Sequence, residues 1–366
     1  MRLASGLLRA SLSSWCYGAC VSGSVVLPQQ SKGGYILQEE KTKSPIKRFL
    51  AWFTQQTILW SGLIIGIPVL LAAAWIGILI WVWDKPVINE AFRDPANAQL
   101  SRADKGALLA EAITYQFRRR LEDQGGWVPN DLVIFFDRNA ACAAGIEGEP
   151  GGIWYVTTET FEVFADRTAR IGGSSQDDSR LTNAAKKFNY DTTRWGISWL
   201  GGADSEHEYA LGLEDFNDYV KDLRADKAIS NVRPDDLAAL LAELGGQNGA
   251  MDKIYSRLND AQKVPPKQRR DRVYSAICAS AVSADTLSVI RSAYATDFEE
   301  DALVSLDDAI NDLYRVSQLY PPVVLNGADD SLWLVNHARN IAAMMSATFD
   351  PILDAARSLP GGDVAR

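Results

Sequence analysis

The sequence predicts an all-α protein, with one N-terminal transmembrane helix followed by a mostly helical exported domain (a helix bundle or irregular helical array). Three observations predict it. A run of 35 residues, 49–83, carries no charged side chain, in a chain that is 23% charged. Behind it, apolar residues recur at three- and four-residue steps in segment after segment. Only two brief stretches, 132–136 and 153–157, read as strand.

The uncharged run has a core at 58–83, 26 residues of almost purely apolar character. As a helix it covers roughly 39 Å, more than the ~30 Å hydrocarbon core of a bilayer. Pro68 is tolerated there as a kink, and Trp52, Trp60, Trp81 and Trp83 stand at its two ends as interfacial aromatics do. Residues 1–48 read as a disordered cytoplasmic tail. They hold seven basic side chains against Glu39 and Glu40 alone, a net of +5, which leaves −14 of the chain's −9 for everything beyond. Lys41, Lys43, Lys47 and Arg48 against Lys85, Arg93 and Arg102 near the membrane put the N-terminus inside, by the positive-inside rule. The expected arrangement is therefore a membrane crossed once, with the N-terminus cytoplasmic, the large acidic C-terminal part exported and membrane lipid around 58–83. Gly62 and Gly66, then Ala73 and Gly77, set small residues four apart, the spacing that lets two membrane helices approach as a dimer seam.

Residues 84–100, with two prolines and no sustained period, read as a juxtamembrane linker. The domain then occupies 101–366. Ser101 caps a helix over 101–123, with Ile113, Phe117 and Leu121 on one face and Arg118, Arg119 and Arg120 at its negative pole. Further helices follow at 158–170 and 178–188. The next, 205–228, opens on the capping box Ser205-x-x-Glu208. Pro234 starts another that Gly245-Gly246 ends, followed by 250–262, 267–281, 285–294, 298–319 and 331–359, the last bent at Asp350-Pro351.

Composition removes several functions. A net charge of −9 argues against a nucleic-acid partner, and two histidines leave no His-rich metal cluster and no cofactor motif. The candidate binding residues lie in four turns. Trp127, Asn130 and Asp131 follow the helix stop Gly125-Gly126. Arg170, Ser174, Ser175 and Asp178 surround a glycine pair and a helix start, an arrangement that can hold an anion. Trp195 and Trp199, exposed together, can stack on a sugar or enter lipid headgroups. Asn326, Asp329, Asn336 and His337 invite a hydrolase reading, with His337, Asp329 and His207 as weak catalytic candidates. In each turn a plain structural role is an equal or better account, as a cap, a turn or core packing. Cys142 and Cys278, the two cysteines of the domain, either pair in an oxidising periplasm or remain separate thiols.

Trp127-Val-Pro-Asn-Asp131, Arg170-x-Gly-Gly-Ser-Ser-x-x-Asp178, Val323-Val-Leu-Asn-Gly327 and Asn336-His337 stand in this order behind one membrane span. The pattern resembles a proteobacterial family known as domain of unknown function 2333, over roughly 50–358. The head and the middle around 201–272 depart from it. The resemblance implies a bacterial single-pass membrane protein and supplies no reaction, cofactor or catalytic residue. Together these readings point to a domain that acts through protein contacts, as an envelope scaffold or assembly partner, with a protein partner or a second copy. The alternatives are a periplasmic hydrolase acting on envelope polymer, or a sugar- or lipid-binding module.

Overall fold

The structure is a computed structural model that describes residues 46–47, 52, 66–74, 77, 85–124, 126–127, 141–143, 145–146, 149–169, 178–192, 194, 204–225, 227–228, 232–321, 324–325 and 336–361. The chain divides into two compact units, 1–67 and 68–366. In the first, Ile46, Lys47, Trp52, Gly66 and Ile67 are described and helical. In the second, 68–74 and 77 are helical, with Val69, Leu70 and Leu71 between 60% and 70% exposed. Gly62 lies outside the described residues. Among the described residues a Cβ at Gly66 or Gly77 would meet nothing within 4 Å.

From residue 85 onward the second unit is helical around one buried axis. Its α-helices are α1 (Arg102–Glu122), α2 (Gly152–Ala169), α3 (Ser179–Phe188), α4 (Ser205–Arg224), α5 (Pro234–Gly245), α6 (Ala250–Asn259), α7 (Pro266–Ala293), α8 (Glu300–Gln318) and α9 (His337–Ser358). The strands among the described residues are β1 (Gly145–Ile146) and β2 (Glu149–Pro150), a two-stranded antiparallel hairpin. Helix α7 is the axis, and α1, α2, α6 and α8 pack around it. It is the one described helix long and apolar enough to cross a membrane, yet its apolar window is wholly buried in protein.

The predicted gap at 282–284 does not exist, and 267–281 and 285–294 are one helix of 28 residues. Three of its hydroxyls bond within the helix. Those of Ser280, Thr286 and Ser288 each donate to the carbonyl four residues earlier, at 2.6–2.9 Å, so small polar side chains do not interrupt it. The predicted strand 153–157 is the start of α2. A β-branched and aromatic run resembles a strand, but here Ile153, Val156, Thr157, Thr160 and Phe161 are buried at helical steps. The other predicted strand, 132–136, lies outside the described residues.

The helix starts follow local chemistry. Ser101 accepts from the Asp104 N–H at 3.1 Å and Asp178 from the Arg180 N–H at 3.0 Å, as N-caps do. The cap of α4 is Asp204, not Ser205, because the Ser205 hydroxyl is taken by the carbonyls of Asp191 and Arg194. Pro351 sits inside α9 without ending it, and that helix starts at His337, six residues later than the sequence predicts.

Cys142 and Cys278 form a disulfide with the Cα atoms 5.5 Å apart, joining a helical turn at 141–142 to the middle of α7. Arg272 holds the adjoining hairpin to α7 by donating to Glu149. Immediately after it, Gly152 lies so close to α7 that a Cβ would collide with the Ser275 carbonyl. Because both clashing parties are backbone of packed helices, Gly152→Ala is expected to lower unfolding stability by about 1–3 kcal/mol. Urea denaturation checks this; an unchanged midpoint would mean that α2 and α7 do not meet at this closeness.

Candidate functional site

The segment read as a juxtamembrane linker packs, from residue 85 onward, against the domain. Residues 85–99 make two 3-10 turns, Glu90–Arg93 and Pro95–Gln99, and lie across α1 and α7 as a strap. Ile88 and Phe92 are buried, and Phe92 meets Tyr115 of α1 edge-on, with ring centroids 5.5 Å apart.

The polar contacts of the strap converge on two side chains of α7. Asp285 accepts from the Asn89 backbone N–H at 3.0 Å and from Gln116 Nε2 at 2.6 Å. The same Gln116 nitrogen donates to the Val87 carbonyl at 2.7 Å, so one amide bridges strap and helix. Two turns on, Ser292 Oγ donates to the Phe92 carbonyl at 2.7 Å and accepts from Asn97 Nδ2 at 3.2 Å. Arg119 donates to the Lys85 carbonyl at 3.1 Å. Asp285 is fully buried. Burial pushes its carboxyl up to about 7 against the two hydrogen bonds and the charges of Arg93 and Arg119, which favour ionisation. Burial likewise raises Tyr115, with the charge of Asp285 adding to it.

A second feature is a groove of about 550 Å³ along α2, α5 and the turn before α6. Its lining holds Asp166, Asp235 and Glu243 against Arg167, over a floor that includes Ala238, Ala239 and Ala242. Burial raises the Glu243 carboxyl, and the negative charge of Glu159 raises it further. The groove thus carries a surplus of negative charge. Among the described residues no group of three His, Cys, Asp or Glu side chains could hold a metal ion.

The residues singled out in the sequence are dispersed. Trp127 is 2% exposed, packed on Phe117 and Tyr209 at 5.1 and 4.8 Å, and its N–H donates to Glu206 in the first turn of α4. Asp178 pairs with Arg180, which also pairs with Asp222 in the last turns of α4. Arg180's hydrogen bond holds the Asp178 carboxyl below its ordinary range. Sixteen helical positions, roughly 24 Å, separate Glu206 from Asp222, so Trp127 and the Asp178–Arg180 pair contact opposite ends of α4. Asn336 caps α9, accepting from the Arg339 N–H. The adjacent His337 is tied to Leu325 twice: its N–H donates to the Leu325 carbonyl at 3.0 Å, and its Nδ1 accepts from the Leu325 N–H at 2.8 Å. That bond occupies one ring nitrogen with a structural task. His207 is exposed, its backbone N–H bonded to Asp204. Asn130, Asp131, Arg170, Ser174, Ser175, Trp195, Trp199, Asn326 and Asp329 lie outside the described residues.

Sequence reasoning missed Asp285, Gln116, Asn89 and Ser292. The available signal was a lone carboxylate in the apolar run 273–293, which was read as a break between two helices.

No curated protein and no solved structure matches the chain. A family profile, described as "Uncharacterized protein conserved in bacteria (DUF2333)", matches residues 53–275. The match takes in the middle region that the sequence reading set apart, and it stops short of the Asn336-His337 turn. It begins inside the uncharged run and covers the strap, α1 to α6 and the first third of α7. Spanning well over half of the chain, it places this protein in the bacterial family DUF2333.

Proposed function

We infer that the protein crosses the bacterial inner membrane once, N-terminus inside, and presents its helical domain to the periplasm, where it acts through protein contacts as an envelope scaffold or assembly partner. The observation that carries this reading is the strap. A domain that only needed a tether would be served by a loose linker. Here the residues directly behind the apolar run are folded into the core, so force and orientation pass from the anchor to α1 and α7.

Two further features support it. Buried disulfides belong to oxidising compartments such as the periplasm, and Cys142–Cys278 is one. The outward-facing Ile67, Val69, Leu70 and Leu71 suit hydrocarbon better than water. Lipid is then the partner of 58–83, and a second copy can pair along Gly62, Gly66, Ala73 and Gly77. The negative charge of the domain leaves nucleic acid out.

Alkaline phosphatase, which folds only when exported, tests the topology. Fused after residue 366 it should be active and fused after residue 48 inactive; the reverse pattern would overturn the orientation. Short-range crosslinking in intact cells should then shift the protein to larger adducts. A monomer band alone, at every crosslinker length, would remove the contact reading.

A further inference from the structure

The strap covers Asp285. Closed, it shuts water away from a fully buried carboxyl group that, among the described residues, Asn89, through its backbone N–H, and Gln116 reach with hydrogen bonds. The charged and titratable groups acting on Asp285 are Arg93 from the strap and Tyr115 and Arg119 from α1. None of these makes an ion pair with it. Arg119 donates to the Lys85 carbonyl, and Arg93 lies over the Tyr314 ring of α8 at 5.2 Å, with Nε and Nη2 buried and without hydrogen-bond partners. Open, the strap would let water reach the carboxylate. Opening needs no helix to unfold, because 85–99 has only 3-10 turns of its own.

We propose that residues 85–99 form a latch governed by Asp285, closed most tightly while its carboxyl is neutral and loosened as the carboxyl becomes charged. An ionised carboxylate sealed from water is costly, and lifting the strap relieves that cost by hydration. The sign follows from proton binding. Closed, the group titrates at about 7; hydrated, near its ordinary 3.8. Between those values the closed form holds more protons than the open one, so opening releases a proton and is favoured by rising pH. The open population therefore grows about tenfold per pH unit from roughly pH 4 to 7 and is level on either side. A periplasm open to external protons would thus stiffen the link between anchor and domain in acid and slacken it near neutrality. The latch itself rests on the strap contacts; its meaning for an anchor rests on the membrane reading above.

The test is amide hydrogen exchange of the full-length protein in detergent micelles between pH 4.5 and 8, read as protection factors so that intrinsic exchange chemistry is removed. Protection of the buried strap amides, that of Asn89 first, should fall about tenfold per pH unit and level off near pH 7, while α4 stays flat as an internal reference. Asp285→Asn should abolish the slope. Gln116→Ala removes a bond that favours ionisation, so it should keep the slope but move the plateau to higher pH. A flat wild-type profile, an unchanged slope in Asp285→Asn, or parallel loss of protection in α4 would overturn the latch. Should Asp285→Asn fail to fold, an unmoved plateau in Gln116→Ala would do the same. Failure of the phosphatase fusions would leave this exchange result standing, so the two readings fail separately.

Discussion

Serine at Cys142, at Cys278 or at both is expected to lower the unfolding free energy of the helical domain by about 3–5 kcal/mol, with the double variant no worse than either single one. The bond closes a loop of 136 residues. Chain statistics for a loop of that length give about 5 kcal/mol of lost denatured-state entropy, and imperfect realisation brings the expectation down to the stated range. The loss should be non-additive, because either substitution removes the same cross-link. It should be reproduced in the unaltered protein by unfolding it first under reducing conditions. Cys142 is 2% exposed and Cys278 is fully buried, so reductant added to the folded protein should act only at the rate of opening. Urea titrations with and without dithiothreitol decide the matter. Identical midpoints would mean that the two thiols are not joined, and would withdraw the main support for an oxidising compartment.

Trp127→Ala is expected to cost a similar amount, about 3–5 kcal/mol, as a drop in urea midpoint with little change in slope. Trp127 closes an aromatic cluster in which Phe117 touches Trp127, Tyr209 and Phe188, and Phe161 continues the chain to Phe188 and Phe216. Removing the indole leaves a cavity bounded by rings that cannot all shift inward. It also frees the preceding turn, in which Gly126 has φ +96° and leaves room for the Glu206 carboxylate. Trp127→Phe should cost less than half as much, since a ring is kept and the buried indole N–H, which has no hydrogen-bond partner among the described residues, is removed. A ligand-contacting tryptophan would behave in the opposite way, with stability unmoved and binding lost. An Ala variant within about 0.5 kcal/mol of the parent, the range of ordinary surface substitutions, would return Trp127 to the surface.

Much of the fold could be read in advance where one face decided. Helices α1, α3, α4, α5, α6 and α8 were legible because each buries a stripe at steps of three and four, and because Ser101, Asp178 and Pro234 announce their starts. Legibility failed where burial is all-round. Helix α7 has no stripe, since residues 273–290 are buried throughout, and its serines and Asp285 looked like breaks. The start of α2 looked like a strand for the same reason, with bulky β-branched residues enclosed on most sides. The candidate site fared worse. The turns that drew notice were conspicuous for glycine, tryptophan, histidine and hydroxyls, and those of them that are described act as caps, anchors or core.

By itself, then, the sequence determined the helical class, the uncharged run that has the length of a bilayer span, the charge contrast on its two sides, and most helix boundaries. These depend on neighbours within a few residues, where periodicity, capping and hydropathy operate. Only the tertiary structure decided that residues 85–99 are a strap, that Cys142 meets Cys278, and that Asp285 shares Gln116 with the Val87 carbonyl. Those contacts join residues 29 to 200 positions apart. Their strength comes from the exclusion of water around α7, and no local pattern encodes which distant group will be there to share it.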